Sequence, residues 1–258
     1  VFALFLGIAL VIGGENYRTI RQFFNEALDM MLRIIGWIMY LAPLGIMALL
    51  IKLVAEQDVE LFTTMLTFIA LIFGITLFHG AVVLPGILYA FTRRSPLWLW
   101  RGSKEALITA FATSSSTATM PVTLRCVQDN LGVRRDVAGF VIPLGTTVNM
   151  DGTVLYEAAA ALFVAHLVGI ELNLAQQLVV FFIAMTASVG APGIPSAGMV
   201  TMVMVLQAVG LPAEAIAILL PVDRLLDTIR TSVNVEGDIV GSLVVEKIVN
   251  DAEASGKG

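Results

Sequence analysis

Cysteine, histidine and charge are all scarce in this chain of 258 residues. Its single cysteine, Cys126, excludes a disulfide framework or a thiolate metal cage within the chain. The two histidines, His79 and His166, lie far apart and suggest no His-rich metal site. Only 14% of the residues are charged and 58% are apolar, whereas a soluble domain carries about 25% and about 45–50%. With a net charge of −5 there is no general basic surface for a polyanion, so nucleic acid is not an expected partner. Mean hydropathy is +0.90. These absences exclude an ordinary soluble enzyme and a disordered chain, and leave an all-α polytopic membrane protein. The apolar run Val1–Gly13 has no basic flank before it and no cleavage site, unlike a signal peptide. It reads as the end of a membrane helix in a longer protein.

Charge-free stretches run Ile34–Ile51, Leu61–Thr92, Ala106–Leu124 and Leu172–Ala213. A spanning helix needs about 20 apolar residues. Leu172–Ala213 would make a helix of about 63 Å, twice the hydrocarbon thickness. Its middle, Ser188–Gly198, is too rich in Gly and Pro for regular helix, so two arms meeting at a tip are expected. Lys and Arg mark cytoplasmic loops. Arg18 and Arg21 lie on one side, the acidic loop with Glu56, Asp58 and Glu60 on the other, and Arg93, Arg94, Arg101 and Lys104 return to the first. Arg125, Arg134 and Arg135 after Ala106–Leu124 are basic again, which a single crossing cannot give. Two opposed re-entrant helical hairpins make the whole pattern consistent, an inverted-repeat plan used by many secondary transporters. A kinked pair of helices packed by small residues is the alternative.

The last span carries Asp223, Asp227, Arg230, Thr231, Asn234, Glu236 and Asp238, and ionisable groups at membrane depth are functional candidates by default. With Asp227 at 0° on a helix, Arg230, Thr231, Asn234 and Asp238 fall within an arc of about 100°, and Glu236 lies opposite. Arginine can grip a carboxylate and aspartate an ammonium, the combination an acidic amino acid requires. An internal Asp227–Arg230 ion pair at i,i+3 explains the same residues, and the residues alone leave both open. In the preceding span, Gly145-Thr146-Thr147-Val148-Asn149-Met150-Asp151-Gly152-Thr153 suggests a locally unwound helix whose freed carbonyls and side-chain oxygens suit a hard cation such as Na⁺.

Four ordered motifs carry a resemblance. They are Ser114-Ser115-Ser116 with Pro121; Asn149-Met150-Asp151-Gly152-Thr153; Gly190-Ala191-Pro192-Gly193-Ile194-Pro195; and Asp227–Asp238. Together they resemble the glutamate transporter family, the dicarboxylate/amino acid:cation symporters, over essentially the whole chain from the end of that family's fourth helix. The resemblance implies residues 1–55 as the end of the fourth helix and the fifth, in a trimerisation scaffold, and 56–96 as the sixth helix. It implies hairpin 1 and the seventh helix in 97–170, hairpin 2 and the eighth in 171–250, and a cytoplasmic tail at 251–258.

It also implies sodium-coupled, elevator-type symport of aspartate or glutamate by a homotrimer in the cell membrane, among membrane lipids. Substrate would be held by Ser115, Ser116, Thr153, Asp227, Arg230, Thr231 and Asn234, beneath a gate of Gly190–Pro195 and Gly198. Two to three Na⁺ sites would draw on Gly145, Asn149, Asn234 and Asp238; on Thr147, Met150, Ser188, Val189 and Ala191; and on Asn149 with Asp151, the third being incomplete in this chain. Glu157 stands where animal members carry a proton on glutamate. The chain departs from the family at Ser114 and Thr228, where archaeal and animal members respectively carry an arginine; Arg224 is a substitute or a partner of Asp223. Pro192 replaces a small residue of the gate. The rival readings are a proton-coupled glutamate or C4-dicarboxylate symporter, an anion channel, and an intramembrane aspartyl protease, the last disfavoured because Val235 breaks its Gly-x-Gly-Asp motif.

Overall fold

A computed structural model describes residues 2–55 and 59–255, all helix and turn, with no strand among them. The chain divides into two units, residues 1–57 and 58–258. In the first, helix α1 (Phe2–Gly13) passes through a 3₁₀ turn at Gly14–Tyr17 into α2 (Arg18–Ala55). Arg18 and Arg21 therefore belong to the start of a helix, not to a loop, and Arg21 pairs with Glu15 at 3.5 Å. Large apolar side chains such as Val11, Ile12, Trp37 and Tyr40 stand exposed along both helices.

The second unit opens with α3 (Val59–Phe78), which continues through a π turn at His79–Val83 into α4 (Leu84–Thr92). Thr63–Thr92 is the one continuous helix among the described residues that is long and apolar enough to cross a membrane. Ser95 caps α5 (Pro96–Thr113) by accepting from the Trp98 N–H, and the chain turns left-handed at Ser114, where φ is 51°. Ser115 then caps α6 (Ser116–Arg125) through the Ala118 N–H. The first arm of this pair begins at Pro96, ten residues before the charge-free stretch suggested, because Pro at the first turn and a serine cap start the helix regardless of the charges inside it.

Helices α7 (Arg135–Val148) and α8 (Asp151–Leu167) are separated at Asn149 and Met150, neither of which is helical. Asn173 and Gln176 form a capping box for α9 (Leu174–Ser188), and α10 (Ala197–Ala208) packs back against it across the Gly/Pro tip. Helix α11 (Ile216–Ala254) runs unbroken past Pro221.

Two apolar clusters share α11. One joins it to α3, α8, α9 and α10 through residues such as Phe68, Tyr156, Met202 and Leu226; the other joins it to α4–α7 through Leu99, Ile142 and Ile239. The polarity is the reverse of a soluble core: Asp223, Asp227, Arg230, Asn234 and Asp238 are buried, while Phe111, Phe140, Leu174 and Val200 are half or more exposed.

Candidate functional site

The middle of α11 supplies the charges. Arg230 is 1% exposed, and its Nη2 donates to Asp223 Oδ1 at 2.9 Å and Asp227 Oδ1 at 2.8 Å. The i,i+3 ion pair that the residues left open therefore forms, with Asp223 as a second acceptor. Two carboxylates on one nitrogen leave Nε and Nη1 buried without a hydrogen-bond partner. Arginine is never deprotonated in this range, so those N–H groups remain donors wanting an acceptor. Tyr156, one turn into α8 from Thr153, lies with its ring 3.9 Å from the guanidinium carbon. Arg224 reaches Asp227 at 3.8 Å and is not the partner of Asp223.

Beside this cluster the break between α7 and α8 is stitched to α11 by Asn234. Its Oδ1 accepts the Gly152 N–H at 2.7 Å, and its Nδ2 donates to Thr153 Oγ1 at 3.2 Å and towards Met150 Sδ at 3.5 Å. Asn149 Nδ2 donates to Asp238 Oδ1 at 3.1 Å and towards the Asn234 carbonyl at 3.5 Å. Asp238 is 3% exposed, and no cationic side chain among the described residues pairs with it. Its carboxylate fills the space a Cβ on Gly145 would need. A buried carboxylate facing one amide donor and neighbouring carbonyls fits a hard cation, since oxygen ligands and uncompensated charge are what such an ion requires. Asp151 faces His79 across 3.3 Å.

The tip between α9 and α10 seats on the start of α6. The Gly193 carbonyl accepts from Ser115 Oγ at 2.7 Å and from the Thr117 N–H at 3.0 Å. A Cβ on Gly193 would meet Thr117 Oγ1 at 2.6 Å and the Thr146 carbonyl at 2.9 Å, so only glycine allows this approach. At the other end of the tip Ser196, with φ of 58°, donates its N–H to Asp227 Oδ2 at 2.8 Å, and Gly198 faces Thr153 and Arg230.

Most of the expected binding residues thus lie together: Thr153, Asp227, Arg230 and Asn234 in one hydrogen-bonded neighbourhood, with Ser115 joined to the tip. Ser116 and Thr231 are buried on α6 and α11. Of the proposed cation ligands in the tip, Ser188 spends its carbonyl on the Ala191 N–H at 2.9 Å, and Val189 is exposed. Thr147 bonds its own helix at Leu144. Glu157 is wholly buried, with Oε1 accepting from Thr201 Oγ1 and Oε2 without a partner. Residues that sequence reasoning missed are Tyr156, Ser196, Thr201 and Trp100, whose Nε1 donates to the buried Glu236 at 2.9 Å. Thr153, Tyr156 and Glu157 at i, i+3 and i+4 share one helix face, a signal that was open to reading.

The sodium:dicarboxylate symporter family model matches residues 1–248. The chain belongs to that family. Among relatives of this chain, excitatory amino acid transporter 4 of Mus musculus is 45% identical over 252 residues, covering 96% of this chain and 45% of the transporter. Excitatory amino acid transporter 3 of Homo sapiens is 43% identical over 249 residues, 96% of this chain and 48% of its own length. Human excitatory amino acid transporter 2 is 44% identical over 247 residues, 95% and 43%. The chain spans about half the length of the curated relatives it matches.

Proposed function

We propose that the protein to which this chain belongs is a sodium-coupled secondary symporter of an acidic amino acid, aspartate or glutamate, in the cell membrane, and not an enzyme. The observation that carries this reading is Arg230: a buried guanidinium with unpartnered N–H groups, beside Asp227 on the same helix. A substrate carboxylate supplies the missing acceptor, and the substrate ammonium takes the Asp227 oxygen now held by the Ser196 N–H. Thr153, Thr231, Asn234, Ser115 and Ser116 complete the pocket. A dicarboxylate without an amino group leaves Asp227 unmatched, which disfavours the C4-dicarboxylate alternative.

In this reading α5–α6 and α9–α10 are opposed re-entrant hairpins of an inverted repeat, and residues 97–250 slide as an elevator domain against a trimeric scaffold containing residues 1–55. Irregular backbone at Asn149–Met150 and at the tips is tolerated at membrane depth because it lines a polar site. Na⁺, as a co-transported ion, is assigned to the Asp238–Asn149–Gly145–Asn234 cradle, to Thr147 and Met150 with Ser188, Val189 and Ala191, and to Asn149 with Asp151. Gly190–Pro195 with Gly198 act as the gate. Ion binding at the α7–α8 break fixes Met150, Thr153 and Asn234, and so raises the affinity for substrate. Glu157 is assigned a proton. Uptake of aspartate by the full-length protein in proteoliposomes, with Na⁺, H⁺ and K⁺ gradients imposed separately, tests the reading. Uptake driven by Na⁺ is expected; uptake indifferent to Na⁺, or succinate preferred to aspartate, refutes it.

A further inference from the structure

Away from the substrate site, the turn between α4 and α5 gathers positive charge that nothing in the described chain neutralises. Arg93, Arg94, Arg101 and Lys104 form no ion pair among the described residues, whereas Arg125 close by is taken up by Glu105 at 2.6 Å. Asp129 is the one other carboxylate in the adjoining turn. Instead of acids, the arginines meet rings: Arg94 lies over Trp98 at 5.0 Å and Arg93 over Tyr89 at 5.5 Å. Such stacking orders a guanidinium while leaving its N–H edge free to bind an anion. Beside Trp98 is an open surface cavity of about 480 Å³ lined by Ser95, Leu97, Trp98, Arg101, Gly102 and Asn130, so Arg101 is the cation in its wall and Arg94 is stacked on another wall residue, Trp98. Asn130 is anchored to the Gly102 carbonyl at 2.9 Å, which fixes the far wall. The wall also carries the apolar Leu97, about half exposed. An arginine set beside the apolar Leu97 and Trp98, with a second arginine stacked on Trp98, matches an amphiphile with an anionic head better than a free anion, which gains nothing from the exposed Leu97.

We propose that this cavity binds the phosphate headgroup of an anionic membrane phospholipid, with Arg94 and Arg101 as its main contacts and Arg93 and Lys104 adding charge. The positive residues place it at the cytoplasmic boundary, where anionic lipid is concentrated and basic pockets between helices take such headgroups. The proposal rests on the membrane placement of α4–α5 and not on which amino acid is carried. Its test uses the full-length protein in nanodiscs of phosphatidylcholine with graded phosphatidylglycerol, scored by native mass spectrometry for retained lipid, with aspartate uptake measured in parallel. Retention of phosphatidylglycerol over phosphatidylcholine is expected. It should weaken about five-fold for each charge removed, in Arg101→Gln and in Arg94→Gln, and Arg101→Lys should hold it within two-fold with uptake intact. Equal retention of the two lipids, or retention unchanged in Arg94→Gln/Arg101→Gln, overturns the proposal. Displacement of the lipid by millimolar inorganic phosphate reassigns the cavity to a free anion and overturns it too. Loss of Na⁺-driven uptake with lipid retention preserved bears on the transport reading alone.

Discussion

At the scale of single residues, the behaviour of the site turns on Arg230 holding two aspartates with one nitrogen. Removing the guanidinium leaves Asp223 and Asp227 buried side by side without their cation, a change that costs about 3–5 kcal/mol where a buried pair is broken. Arg230→Cys should therefore lose acidic-substrate binding by at least about a hundred-fold, the scale of a lost charge-assisted contact to a carboxylate. Binding is best measured by calorimetry on purified full-length protein, with folding checked by gel filtration; aspartate affinity within a few-fold of the parent would refute the carboxylate clamp. The Arg230 pattern was legible in the sequence because helical spacing puts Asp227, Arg230 and Asn234 on one face. Asp223 as second acceptor was half legible, since it sits on the same face one turn earlier. Tyr156 was legible only through its helix face shared with Thr153 and Glu157, and Ser196 was not, because it comes from the tip between α9 and α10. Glu157 makes a second test at this scale. Its Oε2 is buried without a partner, and a protonated carboxyl is the form that tolerates such a place. If uptake carries that proton, transport by the parent falls as pH rises. Glu157→Gln, an amide that cannot lose a proton, should transport with a flat pH profile between about pH 6 and 9; a fall as steep as the parent's would remove Glu157 from the coupling.

At the scale of elements, the contact to examine is the α9–α10 tip on the start of α6. Three groups converge on Gly193: its carbonyl takes Ser115 Oγ and the Thr117 N–H, and its Cα faces the Thr146 carbonyl. A methyl group there meets backbone oxygen, which cannot swing aside as a side chain can. Gly193→Ala should hold the tip off α6. The expected result is a rise of about ten-fold or more in KM for aspartate with normal expression and an unchanged gel-filtration profile, while Ser115→Ala, which removes one bond and adds no bulk, should cost about 0.5–1.5 kcal/mol, or a few-fold. Equal and small effects from both would mean that the tip does not close on α6 during binding. The tip was legible as a break, since Gly and Pro exclude helix from Ser188 to Gly198, but the atom that docks was not. Hydrogen bonding across 78 residues has no periodic signature. Likewise Glu236 read as facing away from the stripe of polar residues, yet nothing in its spacing announced Trp100 as the donor that satisfies it at 2.9 Å. The charge-free stretch from Ala106 begins ten residues after α5 does, because charge-free length marks what lipid tolerates, whereas a serine cap followed by proline marks where a helix begins.

At the scale of the whole molecule, α11 belongs to both apolar clusters and carries both the Arg230 site and Asp238, eight residues apart on one helix. Asn234 lies between them, bonded on one side to Thr153 and Gly152 and touched on the other, through its carbonyl, by Asn149, which also holds Asp238. Under the proposed assignment, an ion that draws in the Asp238 carboxylate and the Asn234 carbonyl acts on the residue whose side chain is assigned to substrate. Coupling through so short a path must be reciprocal: whatever factor Na⁺ contributes to aspartate affinity, aspartate contributes to Na⁺ affinity. A coupling of about 1–3 kcal/mol gives a factor of about 5–150. Titrating aspartate at fixed Na⁺, and Na⁺ at fixed aspartate, should return the same factor on the full-length protein. Asp238→Asn removes the negative charge but keeps a group of the same shape, so it should lower Na⁺ affinity and shrink both factors together. If it weakened Na⁺ binding and left the Na⁺ dependence of aspartate affinity untouched, the ion held at Asp238 would not be the one that prepares Asn234 and Thr153, and the coupling would have to run through the ion assigned to Asn149 and Asp151 or to the gate.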